Sequence, residues 1–256
     1  MRNTFTQAEV ESYRQNGFLI VEDFLDSGEL ERWRQVVTET VTASPQPMTG
    51  KNSEKAFTQR MHLRRRDEAA RDLVDDQQIG RLVAELEGLD SVRLYLDQAL
   101  VKEPYGAPTQ YHLDIPWWSF DSDHACTIWV ALDDATLANG CLWFLPGSHH
   151  RRLSSAVDLG PDHGALFATH PEAAAPPVAA PLPAGGCTFH NGHTIHGAGV
   201  NMTPGRRRAM TIAFMPGDAT WNGTHDIQVL GEEYLQTLTV GDPIDHEGRH
   251  PRVYAG

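Results

Sequence analysis

What this chain of 256 residues has little of narrows its function first. It holds no run of about 18 apolar residues, the length a helix needs to cross a bilayer. Its first ten residues, MRNTFTQAEV, carry no apolar core of the secretory kind, so a cytoplasmic protein with no membrane partner is expected. Lysine is scarce, with Lys51, Lys55 and Lys102 alone, and 21 Lys and Arg stand against 34 Asp and Glu for a formal charge of −13. Nucleic-acid binding draws most of its affinity from cations that displace counterions from phosphates. A nucleic-acid partner is therefore not expected, and a small-molecule one is. The only basic runs, Arg64 to Arg66 and Arg206 to Arg208, are short enough to be solvated faces or local anion sites. Cys126, Cys141 and Cys187 are odd in number and lack CxxC spacing, which suits reduced thiols in a core better than a disulfide framework.

What is present is organised in two textures. Thr6 followed by Glu9 makes a capping box for a short helix that should stop at Asn16-Gly17, before the apolar strand FLIVEDF. A helix with Leu30, Trp33, Val37 and Val41 at helical spacing follows, then a polar loop over 44–58 of the kind that forms lids, then helix again over 67–87. From Ser91 the texture changes to short apolar or alternating runs between turn residues: VRLYLDQALVK, TQYHLD, CTIWVAL, CLWFLPG, GCTFHN, HTIHGA and RRAMTIAFM. The Ala- and Pro-rich stretch 159–185 reads as an irregular surface excursion. After Gly217 one helical stretch near 232–238 and an irregular tail are expected. A single domain over 1–256 follows, with a helical part to about 90, a mainly β core over about 91–216 and a C-terminal extension from 217.

Chemistry concentrates in YHLDIPWW. His112 and Asp114, two apart on an expected strand, project from one face and can share an ion. An imidazole and a carboxylate are two corners of the facial triad of non-haem Fe(II) oxygenases, which leaves coordination positions open. Candidates for the third corner are His190, His193 and His196. The first two flank the Asn191-Gly192 turn, where side chains point to solvent or cap backbone, while His196 ends the following strand and is preferred. On the last strand Arg207, Ala209, Thr211 and Ala213 share a small-residue face with room for a co-substrate. Arg208, Met210, Ile212 and Phe214 share the bulky face that suits helix packing. Arg207 is thus the inward arginine, able to take a carboxylate bidentately.

With YHLD, NGCLWFLPGSHH and IHGAGVN on the page, and Arg207 eleven residues beyond His196, the chain resembles the phytanoyl-CoA dioxygenase family of Fe(II)/2-oxoglutarate oxygenases over nearly its whole length. The resemblance implies a mainly β fold with flanking helices, a double-stranded β-helix or cupin-like jelly roll. It implies Fe(II), 2-oxoglutarate and O2 as metal, co-substrate and oxidant, with His112, Asp114 and His196 as catalytic metal ligands. It also implies Trp129 along the 2-oxoglutarate pocket, with an ordinary core aromatic as the alternative. The expected reaction is hydroxylation of an unactivated C–H bond of a small metabolite, with release of succinate and CO2. Related halogenases replace the carboxylate ligand, whereas Asp114 is intact.

Further candidates rest on position alone. Lys102, ten residues before His112, either helps bind the co-substrate, as Thr211 would, or the substrate, or is a strand-end surface lysine. Trp117, Trp118 and Trp221 either wall a substrate site or cover the barrel end as core. Desaturation, epimerisation or cyclisation with the same cofactors is a rival reaction, and a non-catalytic metal-binding jelly roll is a rival class. The latter's closed structural site needs a fourth ligand that no spacing supplies. Either a monomer or a homodimer fits.

Overall fold

A computed structural model describes residues 1–43, 58–153, 162 and 164–256. Helix α1, Gln7–Asn16, opens on the expected capping box and closes at Gly17, whose left-handed φ of 82° ends it. Then come β1, Phe18–Val21, and α2, Ser27–Ala43. Of the stretch read as a lid, 44–57 lie outside the described residues, and Thr58 begins β2, Thr58–Met61. The helix expected over 67–87 is two, α3 Glu68–Val74 and α4 Gln77–Glu87, because Asp75 ends the first and the Asp76 side chain caps Gln78 N to start the second.

The strands continue with β3, Ser91–Lys102, β4, Thr109–His112, β5, Cys126–Ala131, and β6, Leu142–Phe144. The Ala/Pro stretch is less irregular than its composition suggests. It carries α5, Ala165–Thr169, and a strand, β7, Val178–Ala180, which pairs with β6. β8 is Cys187–Asn191, β9 His196–Ala198 and β10 Arg207–Pro216, so the expected strand HTIHGA is strand only in its last three residues. Two one-turn helices, α6 Ile227–Leu230 and α7 Glu232–Leu235, precede β11, Arg252–Ala255. The last of these falls in the tail read as irregular and pairs with β3.

All pairings within the two sheets are antiparallel. The larger sheet runs β1-β8-β5-β10-β3-β11, with β2 also on β3, and the smaller β4-β9-β6-β7. Residues 1–90, read as mainly helical with one strand at FLIVEDF, thus give two strands to the large sheet, β1 as expected and β2 in addition.

Strand alternation sorts the large sheet's two faces. Cys126, Ile128 and Val130 of β5, Phe189 of β8 and Met210, Ile212 and Phe214 of β10 pack against Trp33, Val37, Ile79 and Leu82 of the helices. Burying an apolar side chain of this size stabilises by roughly 1.5–3 kcal/mol, which is why the helical layer stays on. The opposite face turns Thr127, Trp129, Arg207, Thr211 and Ala213 toward a cavity that β4, β6 and β9 also line. Cys126, Cys141 and Cys187 are buried and unpaired, as expected of core thiols.

Candidate metal centre

β4 ends at His112, and Asp114 is not on the strand: its φ of −79° and ψ of −47° are helical, and it caps a one-turn 3₁₀ segment, Ile115–Trp117. Strand alternation therefore does not bring the two side chains together, contrary to the sequence argument. The turn does so, with Leu113 packing into a separate apolar cluster beside Leu145 and Ile195. Gly192 O fixes this turn by accepting from Asp114 N at 3.0 Å and Ile115 N at 3.1 Å. His196 opens β9 directly across from His112 in the register. Their ring centroids are 4.3 Å apart. One ligand atom from each of His112, Asp114 and His196 lies within 4.8 Å of the others. Asp114 Oδ1 is 3.9 Å from both Nε2 atoms.

Hydrogen bonds decide which imidazole nitrogen faces the centre. His112 Nδ1 lies 2.8 Å from Gln110 O and His196 Nδ1 3.0 Å from Thr194 O. A carbonyl only accepts, so each Nδ1 carries the proton and each Nε2 presents a lone pair. Burial lowers both imidazoles to about 4, aided by His196 beside His112 and by His190 beside His196, so both are neutral at pH 7. For Asp114, burial alone would raise the carboxyl, but the imidazoles of His196, His190 and His112 hold it well below the usual carboxylate range. Two neutral nitrogens and one carboxylate, with no fourth ligating side chain in the group among the described residues, fit an open facial site for a divalent first-row metal.

Arg207 lies beyond the triad on β10, 2 % exposed, with Nε and Nη1 lacking any hydrogen-bond partner. Its guanidinium sits 4.9 Å over the Trp129 ring. Burial brings it down to about 10, so it remains a cation at neutral pH. A buried guanidinium with two unpartnered nitrogens is costly to leave so, and a carboxylate is the group whose geometry matches it. Its neighbours separate as the strand faces predict. Arg208 pairs with Asp133 and reaches Thr38 of α2, and Arg206 pairs with Glu103 at the surface.

The other candidates divide. Trp129, Thr211, Trp117 and Trp118 line the cavity of about 260 Å³ that contains the triad and Arg207. Trp221 does not: it packs in the core with Val229 and Ile244, its indole nitrogen donating to Thr224 O at 3.0 Å. Lys102 is no surface lysine, being fully buried, but it too is absent from the cavity wall. Its Nζ donates to Ala107 O at 2.7 Å, and burial, then Arg207, lowers it to about 7. The sequence reading puts His190 beside a turn, pointing to solvent or capping backbone. Its pairing with Phe18 and Thr127 on either side instead buries it in the sheet, on the cavity wall and 3.5 Å from Asp114 Oδ2. Sequence reasoning also passed over Thr127, although strand alternation with Trp129 marks it, and over Gln59 and Gln98, which no pattern marks.

Fold and site together define a β-sheet protein with a partly buried two-histidine, one-carboxylate centre and an arginine beyond it. Residues 13–209 match the phytanoyl-CoA dioxygenase (PhyH) family, and the chain belongs to that family. It is 31% identical over 152 residues to a probable alpha-ketoglutarate-dependent hypophosphite dioxygenase of Stutzerimonas stutzeri, covering 57% of this chain and 53% of that one. It is 30% identical over 180 residues to phytanoyl-CoA dioxygenase domain-containing protein 1 of Mus musculus, covering 66% and 61%. The chain thus spans between about half and three fifths of these relatives' lengths. Among solved structures it is similar to the non-heme alpha ketoglutarate dependent carbocyclase SnoK from nogalamycin biosynthesis, with TM-score 0.83, 26% identity and 97% and 96% of the two chains covered. The epimerase SnoN from the same biosynthesis gives 0.79 and 27%, with 96% and 98% covered.

Proposed function

We propose that the protein is a non-haem Fe(II) dioxygenase that consumes 2-oxoglutarate and O2 and hydroxylates an unactivated C–H bond of a small metabolite. The observation that carries the reading is one cavity holding both halves of such a site: three ligand atoms within 4.8 Å, and a buried guanidinium with two nitrogens unpartnered. Family membership and the alpha-ketoglutarate dependence in the names of its relatives support it. The two antiparallel sheets are read as the walls of a double-stranded β-helix, and 1–256 as one domain built on it.

His112, Asp114 and His196 would hold the iron and Arg207 the far carboxylate of 2-oxoglutarate, with Trp129 and Thr211 walling the co-substrate end. When bound, iron with this co-substrate supplies the oxidising power, and succinate and CO2 leave as by-products. The protein's own part is to keep both Nε2 lone pairs and one carboxylate oxygen aimed at one point and to exclude water. Tyr95, Trp118 and Phe120 pack as a buried aromatic group at the Trp118 wall. Once triad and arginine are assigned, no further carboxylate, lysine or guanidinium lines the cavity among the described residues. The rest of the lining includes apolar surface, the indole of Trp117, the hydroxyl of Thr109, the imidazole of His190 and the side chains of Gln59 and Gln98. That supports an uncharged substrate with a few hydrogen-bonding groups.

A second reading keeps the site and changes the outcome, and it is favoured by one observation: the two structural relatives above are a carbocyclase and an epimerase. Both readings are tested by supplying purified protein with Fe(II), 2-oxoglutarate and a panel of neutral ring compounds, amino acids and acyl thioesters while following succinate. Product mass separates them, since hydroxylation adds one oxygen, cyclisation or desaturation removes two hydrogens and epimerisation changes nothing. Tetrahedral zinc binding without any 2-oxoglutarate turnover would sink both.

A further inference from the structure

Asp114 has two oxygens, and the protein treats them differently. Oδ1 faces the centre, 3.9 Å from each ligand nitrogen. Oδ2 is turned to the large sheet, where Thr127 Oγ1 donates to it at 2.9 Å and His190 Nε2 lies 3.5 Å away. Thr127 on β5 and His190 on β8 are direct register partners, so one row of the sheet presents both groups to the same oxygen. Thr127 is itself buried, 6% exposed, and its β-branched side chain is stiff about χ1. A carboxylate, by contrast, turns easily about χ2. Left untied, Asp114 could chelate a metal through both oxygens and occupy two coordination positions instead of one.

We infer that Thr127 is a positioning residue that reserves Asp114 Oδ2 and so makes Asp114 a one-oxygen ligand, keeping a coordination position open. Its hydroxyl is the active feature. A methyl in its place fills the same volume but donates nothing. His190 flanks the same oxygen and limits its swing from the other side. This inference rests on the proposed metal site, and it concerns how that site is set, not whether it exists.

The test is binding of Co(II), as a spectroscopic stand-in for Fe(II), to the purified full-length chain. Dissociation constants and ligand-field absorption are measured for wild type, Thr127→Val, Thr127→Ser and His196→Ala. Thr127→Val should weaken binding by roughly 10- to 100-fold, the usual loss when a partner of a metal ligand is removed. It should also alter the Co(II) absorption bands, whereas Thr127→Ser should stay within a few-fold of wild type with its spectrum. Melting of the metal-free variants guards against a general packing defect, and Thr127→Ala replaces Thr127→Val if the latter does not fold. Equal affinity and spectrum in wild type and Thr127→Val, or equal loss in Thr127→Val and Thr127→Ser, overturns the inference while leaving the metal site intact. A wild type that binds no Co(II), or a His196→Ala that binds it equally well, instead fails the proposed function.

Discussion

Arg207 shows how much one side chain's surroundings say about its task. Its guanidinium is buried over Trp129 with two nitrogens unpartnered, while Arg206 and Arg208 on either side are paired with Glu103 and Asp133. Charge-assisted hydrogen bonds contribute about 1.5–3 kcal/mol each. Arg207→Ala should therefore raise the 2-oxoglutarate concentration needed for half-maximal succinate formation by roughly 10- to 100-fold. Arg207→Lys should recover little of it, because a point charge does not reproduce the planar fork. An unchanged requirement would mean that another group holds the co-substrate. His112→Ala and Asp114→Ala should each abolish substrate-coupled succinate formation, since each removes a ligand atom from the centre. At this scale the sequence was legible wherever residue type and spacing carry the chemistry. It misled at His190, because a histidine beside Asn-Gly is equally consistent with a solvent-facing turn and with a strand end flanked by a partner strand on each side.

Between elements, the centre depends on how closely β4 and β9 approach. His112 and His196 are opposite one another in that pairing, and Gly197 sits beside them with no side chain to hold the strands apart. A Cβ there would lie 2.9 Å from Thr109 O and 3.1 Å from Gln110 O, both backbone atoms that cannot turn aside. Gly197→Ala should push β9 from β4 and weaken metal binding by at least about 10-fold, by the same logic that ties ligand orientation to affinity. Isothermal titration with Co(II) checks this, and wild-type affinity would show that the strands can yield. Three strands escaped the sequence reading for physical reasons. β2, TQRM, is polar without alternation, and β7, VAA, is hidden in a Pro-rich stretch. β11, RVYA, is too short to show a period. Each is a strand only because a neighbouring edge offers it hydrogen bonds.

The molecule's overall stability should carry two signatures of this architecture. Anything that binds the folded centre and not the unfolded chain stabilises by mass action, about 2.7 kcal/mol at a metal concentration 100-fold above its dissociation constant. Mn(II) or Co(II) should thus raise the melting temperature of wild type and not of Asp114→Ala, as scanning calorimetry would show. The second signature lies in Asp97 on β3, fully buried and accepting from Arg64 N at 3.2 Å. Burial raises its carboxyl from 3.8 to about 6 against the pull of the Arg64 and Leu63 backbone donors and of Arg65. A group whose folded value is raised contributes stability that is complete below its unfolded value and is lost as pH rises through the folded one. Asp97→Asn has no such loss. Relative to wild type it should gain about 3 kcal/mol between pH 4 and 6. Urea unfolding at a series of pH values measures this, and a constant difference across that window would contradict the shift.

The amino-acid sequence by itself determined the two textures of the chain, the cap and stop of its first helix, the inward and outward faces of β10 and which three residues bring candidate ligand atoms together. These follow from local periodicity and from residue types whose chemistry has few other uses. Only the tertiary structure decided that Asp114 reaches the centre from a helical turn anchored on Gly192 and that His190 is a wall of the site. It also decided that Trp221 packs in the core, that Lys102 is buried with its Nζ on Ala107 O and that Thr127 donates to one carboxylate oxygen. Each of these depends on which strand lies across from which, and pairing between distant segments is a property of the packed sheets that no local pattern encodes.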